Sequence, residues 1–84
     1  MIPMTLDALK VALLAAGAQE ESAAAVLHAE LEHFLDRQLA SEDLDAALAE
    51  LAEEGLVVMR ETRFAATERG RAVMLEHWEA FFPA

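Results

Sequence analysis

The residues best suited to bind a metal ion lie together in the segment HAELEH, residues 28–33. His28 and Glu32 are four residues apart, so a helix places them on one face, and Glu30 and His33 are close by. The two histidines are five residues apart, a poor spacing for ligands on one helix face, and an HExxH pattern is absent. We therefore predict no metal site here. We interpret these residues as polar groups of a helix surface or as a half-buried histidine at its edge.

Other kinds of catalytic site have no pattern in the sequence. The chain has no cysteine, and its 3 glycines each fit a helix boundary better than a phosphate-binding loop. Ser22 and Ser41 stand where helices are expected to start, and a hydroxyl there caps the backbone. The carboxylates show no pairing typical of acid–base catalysis. We predict a protein that is not an enzyme and binds no cofactor.

Residues 57–73 differ in charge from the rest of the chain. They hold two acids and four of the 6 basic residues, namely Arg60, Arg63, Arg69 and Arg71. The whole chain has 16 acids and a net charge of −10, so it repels a polyanion such as DNA at long range. The arginines either contact nucleic acid or pair with the protein's own acids, within the chain or across a dimer. The charge of the chain favours the second interpretation.

A length of 84 residues predicts one domain, residues 1–84, with a small core. Because the chain has no cysteine to form a disulfide, a homodimer is the expected means of burying more apolar surface. No apolar run approaches the roughly 18 residues of a membrane span. The segment MIPMTLDALK lacks the basic start and the cleavage site of a secretory signal, which predicts a cytoplasmic protein.

The spacing of apolar residues predicts two helices in the first part of the chain. The first helix begins at about Thr5, which caps it, and runs to Ala16, and Gly17 ends it in a left-handed conformation. The second helix runs over about residues 20–36. Its apolar stripe consists of Leu27, Leu31 and Phe34.

A third helix is predicted from Ser41, whose side chain caps its first turn. Its apolar face consists of Leu44, Leu48 and Leu51. Gly55 and Leu56 are expected to end it in a Schellman motif, in which glycine adopts a left-handed conformation.

Two strands and a fourth helix follow. The runs LVVMR and RFAAT are typical of strands, and only Glu61 and Thr62 separate Arg60 from Arg63. That spacing fits a two-residue turn, but the absence of Gly and Asn leaves a longer turn open. Thr67 is expected to cap the last helix, over about residues 68–82.

This order of three helices, a two-stranded hairpin and a C-terminal helix resembles a winged helix-turn-helix domain. Residues 41–75 carry the likeness. Six positions are similar to the third helix and its exit into the wing: Leu44, Leu48, Leu51, Gly55, Leu56 and Val57. Phe64, Thr67 and Gly70 resemble the aromatic-x-x-Thr-x-x-Gly pattern that closes the wing. The chain is similar in style to the PadR and MarR groups of bacterial regulators, which implies a mainly α domain with a small β-wing.

The resemblance also implies a third helix that enters the major groove of DNA. With its leucines turned inward, the outward arc of this helix is Glu42, Asp43, Ala46, Ala49, Glu50, Glu53 and Glu54. The arc lacks the donors that read base edges and hold phosphates. Its acids instead predict a face that binds a partner protein.

The last helix is the expected dimer surface, as is common among proteins of the resembled family. Met74, Trp78 and Phe81 share one face, while Leu75 and Phe82 share a neighbouring one. We predict dimer contacts through Met74, Trp78, Phe81 and Phe82, and the alternative is that these residues fill the core of a monomer.

These observations favour a non-enzymatic interaction module that acts in regulation through Glu42, Asp43, Glu50, Glu53 and Glu54. The alternative is a DNA-binding transcriptional regulator that uses its arginine-rich wing.

Overall fold

Helices and short strands alternate in the computed structural model, which describes residues 6–83. The elements are α1 (Ala8–Gln19), β1 (Ser22–Ala23), α2 (Ala24–Leu35), α3 (Ser41–Glu53), β2 (Val57–Arg60), β3 (Arg63–Ala66) and α4 (Glu68–Phe81). The strands form an antiparallel sheet in the order β1-β3-β2. Within residues 6–83, no helix is long and apolar enough to cross a membrane.

Helix α1 lies at the centre of the fold because it is apolar on nearly every side. It contacts α2, α3, α4 and β3. Its buried apolar residues include Leu9, Val11, Leu13 and Leu14. An all-round apolar helix is stable in water only when its neighbours cover it, so the other elements pack around α1.

The predicted limits of the first helix were wrong. Helix α1 begins after Asp7, whose carboxylate accepts a hydrogen bond from the Lys10 amide at 2.9 Å, and it ends at Gln19. Thr5, the predicted cap, lies outside the described residues. Gly17 is inside the helix and buried, so it does not end it.

Gly17 instead allows the sheet to approach α1 closely. A Cβ at this position would lie 2.9 Å from the amide nitrogen of Ala66 and 3.0 Å from the Phe64 ring. Glycine is therefore needed here for packing between two elements, a role that local sequence does not distinguish from a helix end.

The second helix begins four residues later than predicted, because Ser22 and Ala23 form a strand first. They pair with Phe64 and Arg63 of β3. The predicted two-stranded hairpin is therefore part of a three-stranded sheet. A two-residue strand is too short to show a periodicity, so it cannot be predicted from its own residues and is recognised only by its pairing with β3.

The Schellman ending of α3 is confirmed. Gly55 has φ 75°, its amide donates to Ala52 at 3.0 Å, and the Leu56 amide donates to Leu51 at 2.9 Å. The prediction that Ser41 caps this helix was wrong. Ala40 is the N-cap residue, and no side chain accepts a hydrogen bond from the first turn.

The hairpin closes through the shorter of the two expected turns. Arg60 pairs with Arg63, and Glu61 and Thr62 form the turn. Glu61 has φ 56°, a left-handed conformation that favours glycine or asparagine. Phe64 is fully buried, as was expected of the aromatic residue in the second strand of the hairpin.

Candidate interaction surfaces

Helix α3 exposes an acidic face along its whole length. Its exposed residues beyond Ser41 are Glu42, Asp43, Asp45, Ala46, Ala49, Glu50 and Glu53, and Glu54 just after the helix is half-buried. The opposite face is buried through Leu44, Ala47, Leu48 and Leu51. Asp45 was missed by the predicted arc, which was drawn too narrowly. The exposed face of α3 therefore contains no cationic side chain.

Lys10, the only lysine in the chain, reaches α3 from the central helix. Its ammonium forms an ion pair with the Glu50 carboxylate, with side-chain exposures of 8% for Lys10 and 53% for Glu50. A buried ammonium needs such a partner, because removing an unpaired charge from water is costly. The pair links α1 to α3 and neutralises one acid of the exposed face. Such a pair could not be predicted from the sequence, since the two residues are 40 positions apart.

The histidine and carboxylate of residues 28–33 hold the connection between α2 and α3. His28 Nε2 lies 2.5 Å from the Leu39 carbonyl oxygen, and Glu32 Oε2 accepts a hydrogen bond from the Leu39 amide at 2.9 Å. Because a carbonyl oxygen only accepts, His28 is the donor at Nε2. Among residues 6–83, no three His, Cys, Asp or Glu side chains are grouped to hold a metal ion. The contacts of His28 and Glu32 are structural.

The four arginines of residues 57–73 lie at three places. Arg60 and Arg63 are exposed beside the hairpin turn, and Arg71 is exposed on α4. Arg69 donates from Nη1 to the Glu54 carbonyl at 3.0 Å, at the end of α3 where the helix dipole favours a cation. Within residues 6–83, no carboxylate oxygen lies within 4.0 Å of Arg60, Arg63 or Arg71. Within residues 6–83, these three arginines therefore form no ion pair with a carboxylate. Their pairing across a dimer stays a prediction.

A hydrogen-bonded junction at Thr67 joins the end of the hairpin to α4. Thr67 donates from Oγ1 to the Gly55 carbonyl at 2.8 Å and accepts from the Gly70 amide at 3.0 Å, which confirms its role as a helix cap. Its own amide donates to the Leu56 carbonyl at 2.9 Å. The start of α4 is thereby tied to the end of α3.

The aromatic residues of α4 meet α2 in a cluster. Ring centroids of Trp78 and Phe82 are 4.6 Å apart, and Phe34 lies 5.0 Å from Phe82 and 6.4 Å from Trp78. Met74 and Phe81, also predicted as dimer residues, are half-buried. Part of this apolar surface is therefore used within the chain, where Phe34 still leaves 54% of its surface exposed.

A groove of about 620 Å³ runs between α1 and α2 beside this cluster. Its floor on α1 consists of Ala12, Ala15 and Ala16, and Leu27 and Trp78 contribute to its walls. The groove exists because these α1 side chains are small. In the sequence, only the alanines indicate it.

The chain matches no model of a known protein family and no curated protein.

Proposed function

We propose that the protein is a winged-helix domain that acts in regulation by binding a basic surface of a partner protein, without catalysis. Three helices, a hairpin and a fourth helix follow one another in the order of the resembled family. The junction of Phe64, Thr67 and Gly70 supports the same assignment, because each residue has a packing or capping role there. We further propose a cytoplasmic location and a homodimer formed through α4.

The observation that carries this proposal is the composition of the exposed face of α3. Bases are read and phosphates are held mainly by Arg, Lys, Asn, Gln, Ser and Thr side chains. Beyond Ser41 at its first position, α3 exposes only acids and alanines. A groove-binding helix of this composition would bring several carboxylates against phosphates and be repelled by them.

Most acids of this face are available to a partner. Within residues 6–83, Glu50 is the only α3 carboxylate with a base within 4.0 Å. Glu42, Asp43, Asp45 and Glu53 are exposed and give the face a local excess of negative charge. Such a face attracts a positively charged surface over long range and sets the orientation in which it docks.

A synthetic amphipathic peptide with lysines along one helical face is a suitable probe. We expect it to bind the full chain and to shift NMR signals of α3. Replacing Glu42→Gln together with Glu53→Gln should weaken the affinity severalfold, because two contacts are removed while the Lys10–Glu50 pair is kept.

The control carries the same change in net charge elsewhere. Glu20 and Glu21 are exposed between α1 and β1. If Glu20→Gln with Glu21→Gln weakens peptide binding as much as the α3 variant does, attraction depends on net charge alone and α3 is not the site.

A second candidate function is DNA binding through the wing. It is favoured by Arg60 and Arg63, which are exposed, adjacent across the hairpin, and without a carboxylate within 4.0 Å among residues 6–83. Fluorescence anisotropy with mixed duplex DNA at roughly 50 mM salt tests it. Micromolar binding that weakens with added salt and is lost in Arg60→Ala/Arg63→Ala would establish this function and displace the first.

A further inference from the structure

Leu75 exposes 71% of its surface on α4, next to residues that are half-buried. A single exposed leucine is common on a protein surface. Leu75 differs because Trp78 follows it at i+3 on α4, and Trp78 contacts the ring of Phe82 just after the helix, so the apolar surface continues from Leu75 to the aromatic cluster. Its position extends the aromatic cluster outward, away from the core.

Opposite charges flank Leu75 on the same helix face. Arg71 precedes it by four residues and Glu79 follows it by four, and both are exposed. They are separated by roughly 12 Å along the helix axis, too far to pair with each other. Within residues 6–83, neither has an opposite charge within 4.0 Å. From Arg71 to Glu79 the stripe is therefore positive at one end, apolar at its centre and negative at the other end. Glu68, seven residues before Leu75, is a further exposed acid on this face and lies beyond the stripe.

Such a stripe is complementary to itself after a two-fold rotation. If two α4 helices cross in antiparallel orientation at Leu75, each Arg71 faces Glu79 of the partner subunit, and the two leucines meet at the axis. In a parallel arrangement, arginine would face arginine and glutamate would face glutamate, which is unfavourable.

We infer that a second copy of this chain binds α4 in antiparallel orientation, with Leu75 at the two-fold axis and two reciprocal Arg71–Glu79 ion pairs. This inference rests on the proposed homodimer and gives it a register. Exposed ion pairs contribute modestly to affinity, so they select the orientation. Leu75 and the adjoining aromatic residues supply the apolar contact.

Charge reversal tests this register in the full chain, with the dimer measured by sedimentation equilibrium. Arg71→Glu and Glu79→Arg each turn two attractive contacts into two repulsive ones. We expect each variant to weaken the homodimer by at least about tenfold. Both positions are exposed, so circular dichroism should show an unchanged fold.

Mixing the two variants is the decisive step. The Arg71→Glu chain has two acids in the stripe and the Glu79→Arg chain has two bases, so together they restore both pairs. We expect a heterodimer at about the wild-type affinity. Glu76→Arg is the control, because it changes the charge as Glu79→Arg does but lies about 100° round the helix from Leu75. It should leave the homodimer unchanged.

Each remaining outcome overturns the inference. A wild-type chain that stays monomeric would contradict both the antiparallel register and the proposed homodimer. A dimer insensitive to both reversals, or a mixture that gives no heterodimer, ends the register and leaves the homodimer standing. Binding of the basic peptide to α3 is measured separately, so its failure ends the proposed partner interaction alone.

Discussion

The backbone of Gly70 packs directly on the carbonyl group of Leu56, and a Cβ at position 70 would overlap that oxygen. The same oxygen accepts the Thr67 amide at 2.9 Å, so it cannot move without loss of a hydrogen bond. The same Cβ would lie 3.2 Å from a methyl carbon of Leu14. The start of α4, the residue just before β2 and the central helix therefore meet at this glycine.

Gly70→Ala should destabilise the fold by about 1–3 kcal/mol, because the added methyl group forces α4 away from the Leu56 carbonyl. Helix propensity alone predicts the opposite sign, a gain of about 1 kcal/mol for alanine over glycine. Urea denaturation followed by circular dichroism distinguishes the two. A stabilised Gly70→Ala variant would contradict the close contact with Leu56.

Loss of the Lys10–Glu50 ion pair should cost stability. Glu50→Gln leaves the buried ammonium without its carboxylate, and we expect a loss of about 1–2 kcal/mol, less than for a fully buried pair because Glu50 is 53% exposed. Glu53→Gln, an exposed acid on the same helix, is the matched control and should change the free energy of unfolding by less than about 0.5 kcal/mol. Equal effects of the two substitutions would exclude a structural role for the pair.

The Leu39 amide should exchange faster when its acceptor is removed. Glu32→Ala deletes the carboxylate that accepts from this amide at 2.9 Å, and we expect a loss of about 1 kcal/mol, with faster hydrogen exchange centred on the α2–α3 connection. Glu30→Ala, on the same helix and exposed, should leave the exchange rate of Leu39 unchanged. A Leu39 amide equally protected in both variants would show that Glu32 does not hold the connection.

Glu61→Gly should stabilise the hairpin. A left-handed conformation costs a non-glycine residue roughly 1–2 kcal/mol. Glycine avoids this cost but has more conformational entropy in the unfolded chain, which offsets part of the gain. We therefore expect the free energy of unfolding to rise by about 0.5–1 kcal/mol. Thr62→Gly is the control, since the neighbouring turn residue has no positive φ and should gain nothing. The midpoints of thermal unfolding rank the two variants, and a lower midpoint for Glu61→Gly than for Thr62→Gly contradicts the expectation.

Part of the candidate site could be predicted from the sequence. The acidic face of α3 follows from helical geometry once its leucines are turned inward, and exposure agrees with that prediction at Glu42, Glu50 and Glu53. The Lys10–Glu50 pair could not be predicted from the sequence, because it joins helices 40 positions apart. The Leu39 contacts join α2 to the irregular segment that follows it, and that segment has no periodicity from which its position could be predicted. The four arginines also do not form one group, since Arg69 is held at the end of α3.

The sequence by itself determined the features that depend on residues a few positions apart. The leucine face of α3, the left-handed Gly55 and the Thr67 cap all arise from local hydrogen bonds and helical periodicity. Only the tertiary structure decided that Gly17 stays inside α1 and that residues 22–23 form a strand. Both depend on β3, whose contacting residues lie 40 or more positions away in the chain. Glycine can continue or end a helix and a two-residue strand has no periodicity, so contact with the distant strand determines the conformation.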